Sequence, residues 1–379
     1  MAKALYIHIP FCTNKCYYCD FNSYVVNGQP VIDYLKALDQ EMKMTVEENP
    51  PEELKTIFVG GGTPTVLSPT ELEFFFSSIH RYFPNWASDI EFTMEANPGT
   101  VDEDKLQVMK NGGVNRLSMG VQAFQDPILQ YIGRIHTEKE VYESIEKARK
   151  QGFDNLSIDL ILGLPNQTIA MMEESLNKAF QLQLPHFSVY SLKVEESTLF
   201  YEWYQKDALP LPKEEDELKM FLLTMEKMKE KGYQQYEISN FAKPGFESRH
   251  NITYWKNEDY YGLGAGAHGY LQNRRYYNKK GIAPYINAIK ENHLPIHEQR
   301  TISIQEKKED MLMLGLRMMK GVAFSDYKNQ FGEEMEQQFG QQIKKLIEQG
   351  LLEKDKKGIR LSSKGIIYGN EVFAEFISV

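Results

Sequence analysis

The stretch "ALYIHIPFCTNKCYYC", residues 4–19, places a strand-like run directly before a loop that contains all 3 cysteines of the 379-residue chain. From Leu5 to Pro10, aliphatic residues at the odd positions alternate with Tyr, His and Pro at the even positions. This alternation is typical of a strand whose two faces meet different surroundings. We therefore expect the cysteines to follow the carboxyl end of a first strand.

Five more strand-like runs follow, with helical stretches between them; they begin at Thr56, Asp89, Arg116, Asn155 and His186. Alternation of strands and helices at this spacing predicts parallel βαβ units. Six units favour an α/β fold with a partial (β/α)6 barrel of the TIM type over a closed eight-fold barrel. A hydroxyl residue three positions before a glutamate predicts capping boxes at helix starts. These pairs are Ser68–Glu71, Thr100–Glu103 and Thr137–Glu140, and the segment from Ser303 to Glu306 predicts a further helix start.

The predicted strands carry one polar face each. On the third and fourth strands this face consists of Glu91, Thr93, Glu95 and Asn97, and of Arg116, Ser118, Gly120 and Gln122. Parallel strands are normally covered on both faces and are apolar throughout. A polar face therefore predicts a sheet curved around a hydrated lumen that holds a ligand. A half-exposed antiparallel sheet is the alternative.

The chain divides into three predicted parts. The barrel occupies residues 1–211, and a connecting region occupies residues 212–300, with a helix at about 212–232 and an irregular, aromatic-rich segment at 235–277. A mainly helical, winged-helix-like C-terminal domain occupies residues 301–379. Within it, "GLLEKDKKGIRLSSKG", residues 350–365, predicts two short strands around a lysine-rich turn.

The composition excludes several classes of protein. The formal net charge of -10 argues against a chain built to neutralise phosphates, so we expect no nucleic-acid partner. No stretch approaches the roughly 20 apolar residues of a membrane helix, and "MAKALYIHIP" lacks the features of a secretory signal. A cytoplasmic protein without an integral membrane segment is expected.

Cys12, Cys16 and Cys19 follow a C-x3-C-x2-C spacing. A structural zinc site uses four protein ligands, so zinc would require His8 as the fourth. Thiolates also hold cubic iron–sulfur clusters, and three of them leave one of four irons open to a small molecule. "GGGTP", residues 60–64, ends the second strand; its glycines permit close approach of backbone to a ligand, or form a tight turn.

"CTNKCYYC" resembles the cysteine signature of the radical S-adenosylmethionine (SAM) enzymes. The segments "EANPGT", "GVNRLSMGVQAF", "GRIHT" and "SIDLILGLPNQT" resemble, more narrowly, the oxygen-independent coproporphyrinogen III oxidases and the related haem chaperones of the HemW type. The resemblance covers nearly the whole chain. It implies a [4Fe–4S] cluster on the three cysteines, with SAM on the open iron. The residues that it implies as SAM contacts are Tyr6, Tyr18, Gly61, Gly62, Thr63, Glu95, Gln122, Arg134 and Asp159.

Within this set the resemblance implies that Arg134 meets the methionine carboxylate and that Asp159 meets the ribose hydroxyls. Two departures from the oxidase pattern favour the chaperones. Phe21 stands where the oxidases have a further cysteine, and only three residues precede the first strand, where the oxidases carry an extension. Both departures place decarboxylase activity in doubt.

"HNITYW", residues 250–255, resembles the H-N-x-x-Y-W haem motif proposed for the HemW type. The resemblance implies haem contacts by His250, Asn251, Tyr254 and Trp255. A histidine in a packed aromatic cluster is the alternative interpretation of this segment. His268 is a second, weaker candidate for a haem ligand.

"GAGAHG", residues 264–269, matches G-x-G-x-x-G, but a dinucleotide site needs a strand before it and a helix after it. The following "YLQNRRYYNKKG" has no helical period, so we expect a turn-rich loop. Its basic residues Arg274, Arg275, Lys279 and Lys280 are expected to form a solvated surface, or alternatively to meet haem propionates.

The leading hypothesis is a chaperone that binds a [4Fe–4S] cluster, SAM and haem, and passes haem to acceptor haemoproteins. It would need an electron donor for the cluster, and it could contact a membrane haemoprotein peripherally. The enzyme alternative is a coproporphyrinogen III oxidase, which would decarboxylate two propionates oxidatively. A DNA-binding regulator that uses the winged-helix-like domain is the third hypothesis.

Overall fold

A computed structural model describes residues 2–377. Met1, Ser378 and Val379, at the outer ends of the predicted terminal parts, lie outside the described residues. The first strands are β1 (Ala4–Ile9), β2 (Phe11–Cys12), β3 (Tyr24–Val25), β4 (Leu54–Gly61), β5 (Trp86–Ala96), β6 (Arg116–Gln122), β7 (Asn155–Leu162) and β8 (His186–Ser191). The helices among them are α1 (Val31–Glu48), α2 (Pro69–Tyr82), α3 (Glu103–Asn111), α4 (Asp126–Tyr131), α5 (Glu138–Lys150), α6 (Ile169–Gln181) and α7 (Leu199–Tyr204).

The six predicted strands form the centre of one sheet, in the order β1-β4-β5-β6-β7-β8. All neighbouring pairs in this series are parallel. The partial barrel is therefore confirmed, and the antiparallel alternative is wrong for these strands. Because parallel strands end at the same edge, Gly61, Ala96, Gln122 and Leu162 lie at one mouth of the barrel.

The chain continues with α8 (Glu214–Glu230), β9 (Gln234–Gln235), β10 (Asn240–Ala242), α9 (Arg249–Trp255), β11 (Tyr260–Leu263), β12 (His268–Leu271), β13 (Arg274–Asn278), α10 (Ile282–Lys290) and β14 (Ile296–Thr301). The prediction of an irregular segment at 235–277 was wrong. β11 pairs parallel with β1, and β12, β13 and β14 extend the sheet in antiparallel order, while β10 and β9 extend its other edge beside β8.

The expected loop "YLQNRRYYNKKG" is a hairpin of β12 and β13. Its two turn residues, Gln272 and Asn273, have φ of 49° and 67°, the sign that two-residue hairpin turns require. A strand, not a helix, follows "GAGAHG", so the dinucleotide motif lacks its helix. Arg275 is not simply solvated, because it forms an ion pair of 2.8 Å with Asp310.

Two of the three predicted capping boxes are present, at Ser68 and Thr137. The helix start predicted at Ser303 is also confirmed, and it too carries a capping box. The box at Thr100 is wrong. Asp102 caps α3 instead, since its carboxylate accepts the Lys105 N–H at 2.8 Å. Thr100 is used elsewhere, in a 2.6 Å hydrogen bond to Thr65.

The last part of the chain contains α11 (Ile304–Gly315), β15 (Val322–Ala323), α12 (Phe324–Phe331), α13 (Met335–Glu348), β16 (Leu352–Lys354), β17 (Gly358–Leu361), α14 (Ser363–Ile367) and α15 (Gly369–Ala374). Its helices surround a three-stranded antiparallel sheet, the winged-helix-like arrangement that was predicted. This part has its own apolar core around Leu312, Tyr327, Phe339 and Phe373. Within residues 2–377 we find no helix with the length and apolarity needed to cross a membrane.

Candidate functional site

A cavity of about 400 Å³ lies at the mouth of the barrel, between the cysteine loop and the strand ends. It brings together residues that are up to 183 positions apart in sequence, from Cys12 to Glu195. The predicted site residues that line it are Cys12, Cys16, Cys19, Tyr18, Gly61, Gly62, Thr63, Glu95, Gln122, Arg134 and Asp159. Its volume is within the range of about 300–1,000 Å³ that small-molecule sites occupy.

Tyr6 does not line this cavity and lies deeper, in the lumen. Its hydroxyl is 2.9 Å from Nδ1 of His8, and Nε2 of His8 is 2.8 Å from the carbonyl oxygen of Asn22 in the cysteine loop. The Asn22 amide also donates to the carbonyls of Ala265 and Lys280, at 2.8 and 2.9 Å. The cysteine loop is thus tied to β1 and to the loop before β12.

Two of the three thiols have hydrogen-bond donors beside them. The Thr63 hydroxyl donates to Sγ of Cys12, and Nη1 of Arg134 donates to Sγ of Cys16, both at 3.6 Å. Burial raises the pKa of Cys19 to about 11 and also raises the pKa of Cys12. Donors directed at sulfur fit bound thiolates. Among the described residues, no three His, Cys, Asp or Glu side chains are placed to hold a single metal ion.

Arg134 is one of three cationic residues that line the cavity, together with Lys15 and Lys193. Its Nη2 donates to Oδ1 of Asn97 at 2.7 Å and to the carbonyl of Gly120, whereas its buried Nε has no hydrogen-bond partner within residues 2–377. Asn97, in turn, donates to the Thr63 hydroxyl at 2.8 Å. An unsatisfied guanidinium nitrogen in a ligand-sized cavity fits an incoming carboxylate. Sequence reasoning placed Asn97 on the polar strand face, but did not identify it as a site residue.

The glycines of "GGGTP" are required by close packing. Gly61 has a φ of +110°, and a Cβ on it would lie 2.5 Å from Nδ1 of His8. A Cβ on Gly62 would lie 2.5 Å from the carbonyl oxygen of Phe11. The Gly61 N–H donates to Oε2 of Glu95 at 3.1 Å. The glycines therefore form the tight turn that the sequence predicted, and their role in ligand binding stays a prediction.

Two buried carboxyl groups lie on the lumen face below the turn. Burial raises the pKa of Glu95 to about 7, with a further contribution from the charge of Asp159. Burial also raises the pKa of Asp159, although its Oδ1 accepts the Ser118 hydroxyl at 3.2 Å. Gln122 ends β6 with a φ of 69°, a conformation uncommon for residues other than glycine. Such local strain is often found at ligand sites.

The segment "HNITYW" forms α9 at the opposite, amino end of the lumen. His250 is fully buried, and its Nδ1 and Nε2 are 2.9 Å from the Thr56 hydroxyl and 2.8 Å from the Tyr254 hydroxyl. Its ring packs on Phe58, with 5.3 Å between the centroids, and burial lowers its pKa to about 3. In this arrangement neither ring nitrogen is free to bind iron, which matches the aromatic-cluster alternative.

The other motif residues have separate surroundings. Asn251 lies in the first turn of α9, where its N–H donates to the capping Ser248 hydroxyl at 3.4 Å. Trp255 packs under the Arg317 guanidinium, 4.6 Å from its carbon, and the Trp255 indole nitrogen is buried with no partner among the described residues. His268 is exposed at the start of β12 and stacks on Tyr277 at 5.3 Å.

Comparison with known proteins matches two parts of the chain to described families. The family described as "Radical SAM superfamily" matches residues 6–179, and the family described as "HemN C-terminal domain" matches residues 302–368. "Heme chaperone HemW" of Bacillus subtilis (strain 168) is 45% identical, with 99% of each chain covered. The protein of the same name from Lactococcus lactis subsp. lactis is 42% identical, with 99% of this chain and 97% of that protein covered.

A solved structure also matches nearly the whole chain. Coproporphyrinogen III oxidase (HemN) from Escherichia coli, described as a radical SAM enzyme, aligns with a TM-score of 0.86 at 25% identity. The alignment covers 98% of this chain and 89% of that chain.

Proposed function

This chain belongs to the HemW family of the radical SAM superfamily, and on that premise we propose that it is a haem chaperone. It binds haem and transfers it to acceptor haemoproteins, and it carries a [4Fe–4S] cluster and SAM. The observation that carries this proposal is the full-length similarity to proteins named as haem chaperones, at 45% identity over 99% of the chain. The cavity that unites the three cysteines with Arg134 supports the cofactor part.

In this proposal Cys12, Cys16 and Cys19 hold the cluster, and Arg134 and Thr63 stabilise the thiolates through their hydrogen bonds to sulfur. The free Nε of Arg134 faces the SAM carboxylate, and the buried acids Glu95 and Asp159 face its amino and hydroxyl groups. When bound, the cluster and SAM supply one-electron chemistry. The protein's own contribution is to bind and orient these groups, and to keep water out of the lumen.

Iron content tests the cluster. Anaerobically reconstituted protein is expected to hold about four irons per chain, the stoichiometry of a cubic cluster. Cys16→Ser should lose most of this iron, whereas Ser23→Ala, in the same cavity wall, should keep it. Unchanged iron in Cys16→Ser would refute the proposed ligand set.

Haem titration tests the chaperone function. We expect haem added to the anaerobic, cluster-loaded protein to give a saturable Soret change near one haem per chain. Bound haem should then pass to an apo-haemoprotein such as apomyoglobin on mixing. The physiological acceptors, and the electron donor of the cluster, remain proposed partners without assigned identity.

A coproporphyrinogen III oxidase is the second candidate, because the E. coli oxidase shares the fold at a TM-score of 0.86. Phe21, at the position of the further oxidase cysteine, is 64% exposed at the rim of the cavity. Conversion of coproporphyrinogen III by the loaded protein with SAM and a reductant, without saturable haem binding, would favour the oxidase over the chaperone.

A further inference from the structure

A second cavity, of about 520 Å³, lies beside the cysteine cavity. We call it the lateral cleft. It is bounded by residues 189–193 at the end of β8, by α8, by the turn between β9 and β10, and by α14 and α15 of the C-terminal part. Residues 190–193 also line the cysteine cavity, so the two cavities share one wall.

Large apolar side chains are exposed on several walls of the lateral cleft. Tyr190, Leu218 and Ile367 lie on three separate elements, and their exposed fractions are 42, 37 and 37%. Phe221 and Ile366 line the cleft between them. Exposed apolar side chains from several elements that line one cavity are a common feature of ligand sites.

Arg317 lines the same cleft and forms no ion pair with any of the described residues. Its guanidinium carbon is 4.6 Å from the Trp255 ring and 5.4 Å from the Phe373 ring. Within residues 2–377 the guanidinium makes no hydrogen bond or ion pair, and its Nε is buried. The nearby Glu237 carboxylate is already bonded to Ser239 and Asn240. Burial lowers the pKa of Arg317, and the charge of the nearby Glu237 acts in the opposite direction.

The charged residues of the cleft are distributed unevenly, with acidic side chains at the α8 end and Arg317 on another wall. Glu214 and Glu217, at the start of α8, line it as well, and Lys193 is engaged by Glu195 at 2.7 Å. An anionic group of a ligand is therefore repelled by the α8 end and attracted to Arg317. The apolar body of such a ligand would lie along Tyr190, Leu218 and Ile367.

We infer that the lateral cleft is the haem site, where the macrocycle packs on the apolar walls and a propionate pairs with Arg317. This inference rests on the proposed function and gives it a location. It also assigns a role to the "HNITYW" segment that needs no iron ligation by His250, because Trp255 of that segment supports Arg317. Since no His, Cys or Met of the described chain lines the cleft, recognition depends on the macrocycle and its carboxylates, and iron-free protoporphyrin IX should also bind.

The test uses full-length, cluster-loaded protein, titrated with haem, with protoporphyrin IX and with protoporphyrin IX dimethyl ester. Wild-type protein should prefer the free acid to the ester. Arg317→Gln should weaken haem and protoporphyrin binding about tenfold or more, the usual value of a charge-assisted pair, and should abolish the preference for the acid. Arg360→Gln, at an exposed arginine of the same part of the chain, is the matched control.

Leu218→Asp provides a second, independent variant. Leu218 and Leu222 are both exposed leucines on α8, one turn apart, but only Leu218 lines the cleft. Leu218→Asp should weaken haem binding, and Leu222→Asp should not. Melting temperature and iron content of the two leucine variants should match the wild type, because both side chains are exposed.

The outcomes separate the two proposals. Absence of saturable haem binding by the wild type would overturn the proposed function, and the cleft assignment with it. Normal haem binding by both Arg317→Gln and Leu218→Asp would overturn the cleft assignment alone. Equal loss in Leu218→Asp and Leu222→Asp would also overturn it, since the effect would then not depend on the cleft.

Discussion

Arg134 holds its Nη1 3.6 Å from Sγ of Cys16, although the two residues are 118 positions apart. The loop after α4 supplies the arginine, and the loop after β1 supplies the cysteine. The contact joins the predicted cluster ligand to the predicted carboxylate ligand, with Nε of the same guanidinium left free. One side chain thus contacts the Cys16 thiol and keeps a buried Nε that has no partner among the described residues.

Arg134→Lys should therefore weaken SAM binding more than it affects iron content. Lysine keeps the positive charge but lacks the planar guanidinium, whose several N–H groups can donate to a thiol, an amide oxygen and a carboxylate at the same time. We expect the Kd for SAM to rise about tenfold, while iron per chain stays near the wild-type value. Equilibrium dialysis of cluster-loaded protein against SAM measures the first, and a colorimetric iron assay measures the second. Arg81→Lys, at an exposed ion pair with Asp39, is the control, and wild-type SAM affinity in Arg134→Lys would contradict the assigned role.

Much of this site could be predicted from sequence because its signals are local. The spacing of the cysteines and the alternation in the strands each occupy fewer than about ten residues, and parallel topology then brings the strand ends together. The register of β5, β6 and β7, with Glu95 opposite Ser118 and Gly120 opposite Asp159, follows from that topology.

Other features depend on contacts that are distant in sequence. The aromatic segment at 260–278 forms part of the sheet because β11 pairs with the free edge of β1. The local sequence pattern does not predict this pairing, since β1 is distant in sequence. The surroundings of His250 are decided by Thr56, which lies 194 positions away. At Thr100 the capping pattern was present, but Asp102 is a competing cap nearer to the first turn of the helix.

Glu95 should make the stability of the protein depend on pH. Its carboxyl group has an ordinary pKa of 4.5 in the unfolded chain and a pKa of about 7 in the fold, because burial disfavours its charge. Between these values the native state binds more protons than the unfolded state, so the free energy of unfolding falls as pH rises from about 4.5 to about 7.

Glu95→Gln removes this titration and keeps an acceptor for the Gly61 N–H. Above pH 7 we expect the free energy of unfolding of the variant to exceed that of the wild type by up to about 3 kcal/mol, an order-of-magnitude value from the pKa difference. Near pH 4.5 the two free energies should differ little. Urea unfolding of cluster-loaded protein at both pH values measures this. Glu53→Gln, at an exposed residue, should show no such difference. If the free energies of unfolding of Glu95→Gln and the wild type differed by the same amount at both pH values, titration of Glu95 would not explain the difference.

His250→Ala should destabilise the protein whether or not haem is present. The substitution leaves a buried cavity and removes the partners of the Thr56 and Tyr254 hydroxyls, which we expect to cost about 3 kcal/mol. His293→Ala, at an exposed histidine, should change the unfolding midpoint little. If His250→Ala were as stable as the wild type but failed to bind haem, His250 would be a ligand rather than a packed core residue.

Substitution of glycine by alanine should destabilise the protein at Gly61 and stabilise it at Gly340. Gly61→Ala combines a φ of +110° with a Cβ 2.5 Å from the His8 ring, and that ring is itself held by Tyr6 and Asn22. Backbone strain alone should destabilise the variant by about 1–3 kcal/mol. The substitution should also disturb the hydrogen bond from the Gly61 N–H to Glu95 and the position of the cysteine loop.

Gly340→Ala, inside α13, meets only Cβ of Glu336 at 3.8 Å. There alanine should stabilise the protein by about 0.5–1 kcal/mol, because glycine weakens helix interiors. Chemical unfolding should thus shift to lower denaturant in Gly61→Ala and to higher denaturant in Gly340→Ala, and only the first should lose iron. If Gly61→Ala retained wild-type stability and iron, the glycine turn would have room for a side chain, and close packing would not be the reason for its composition.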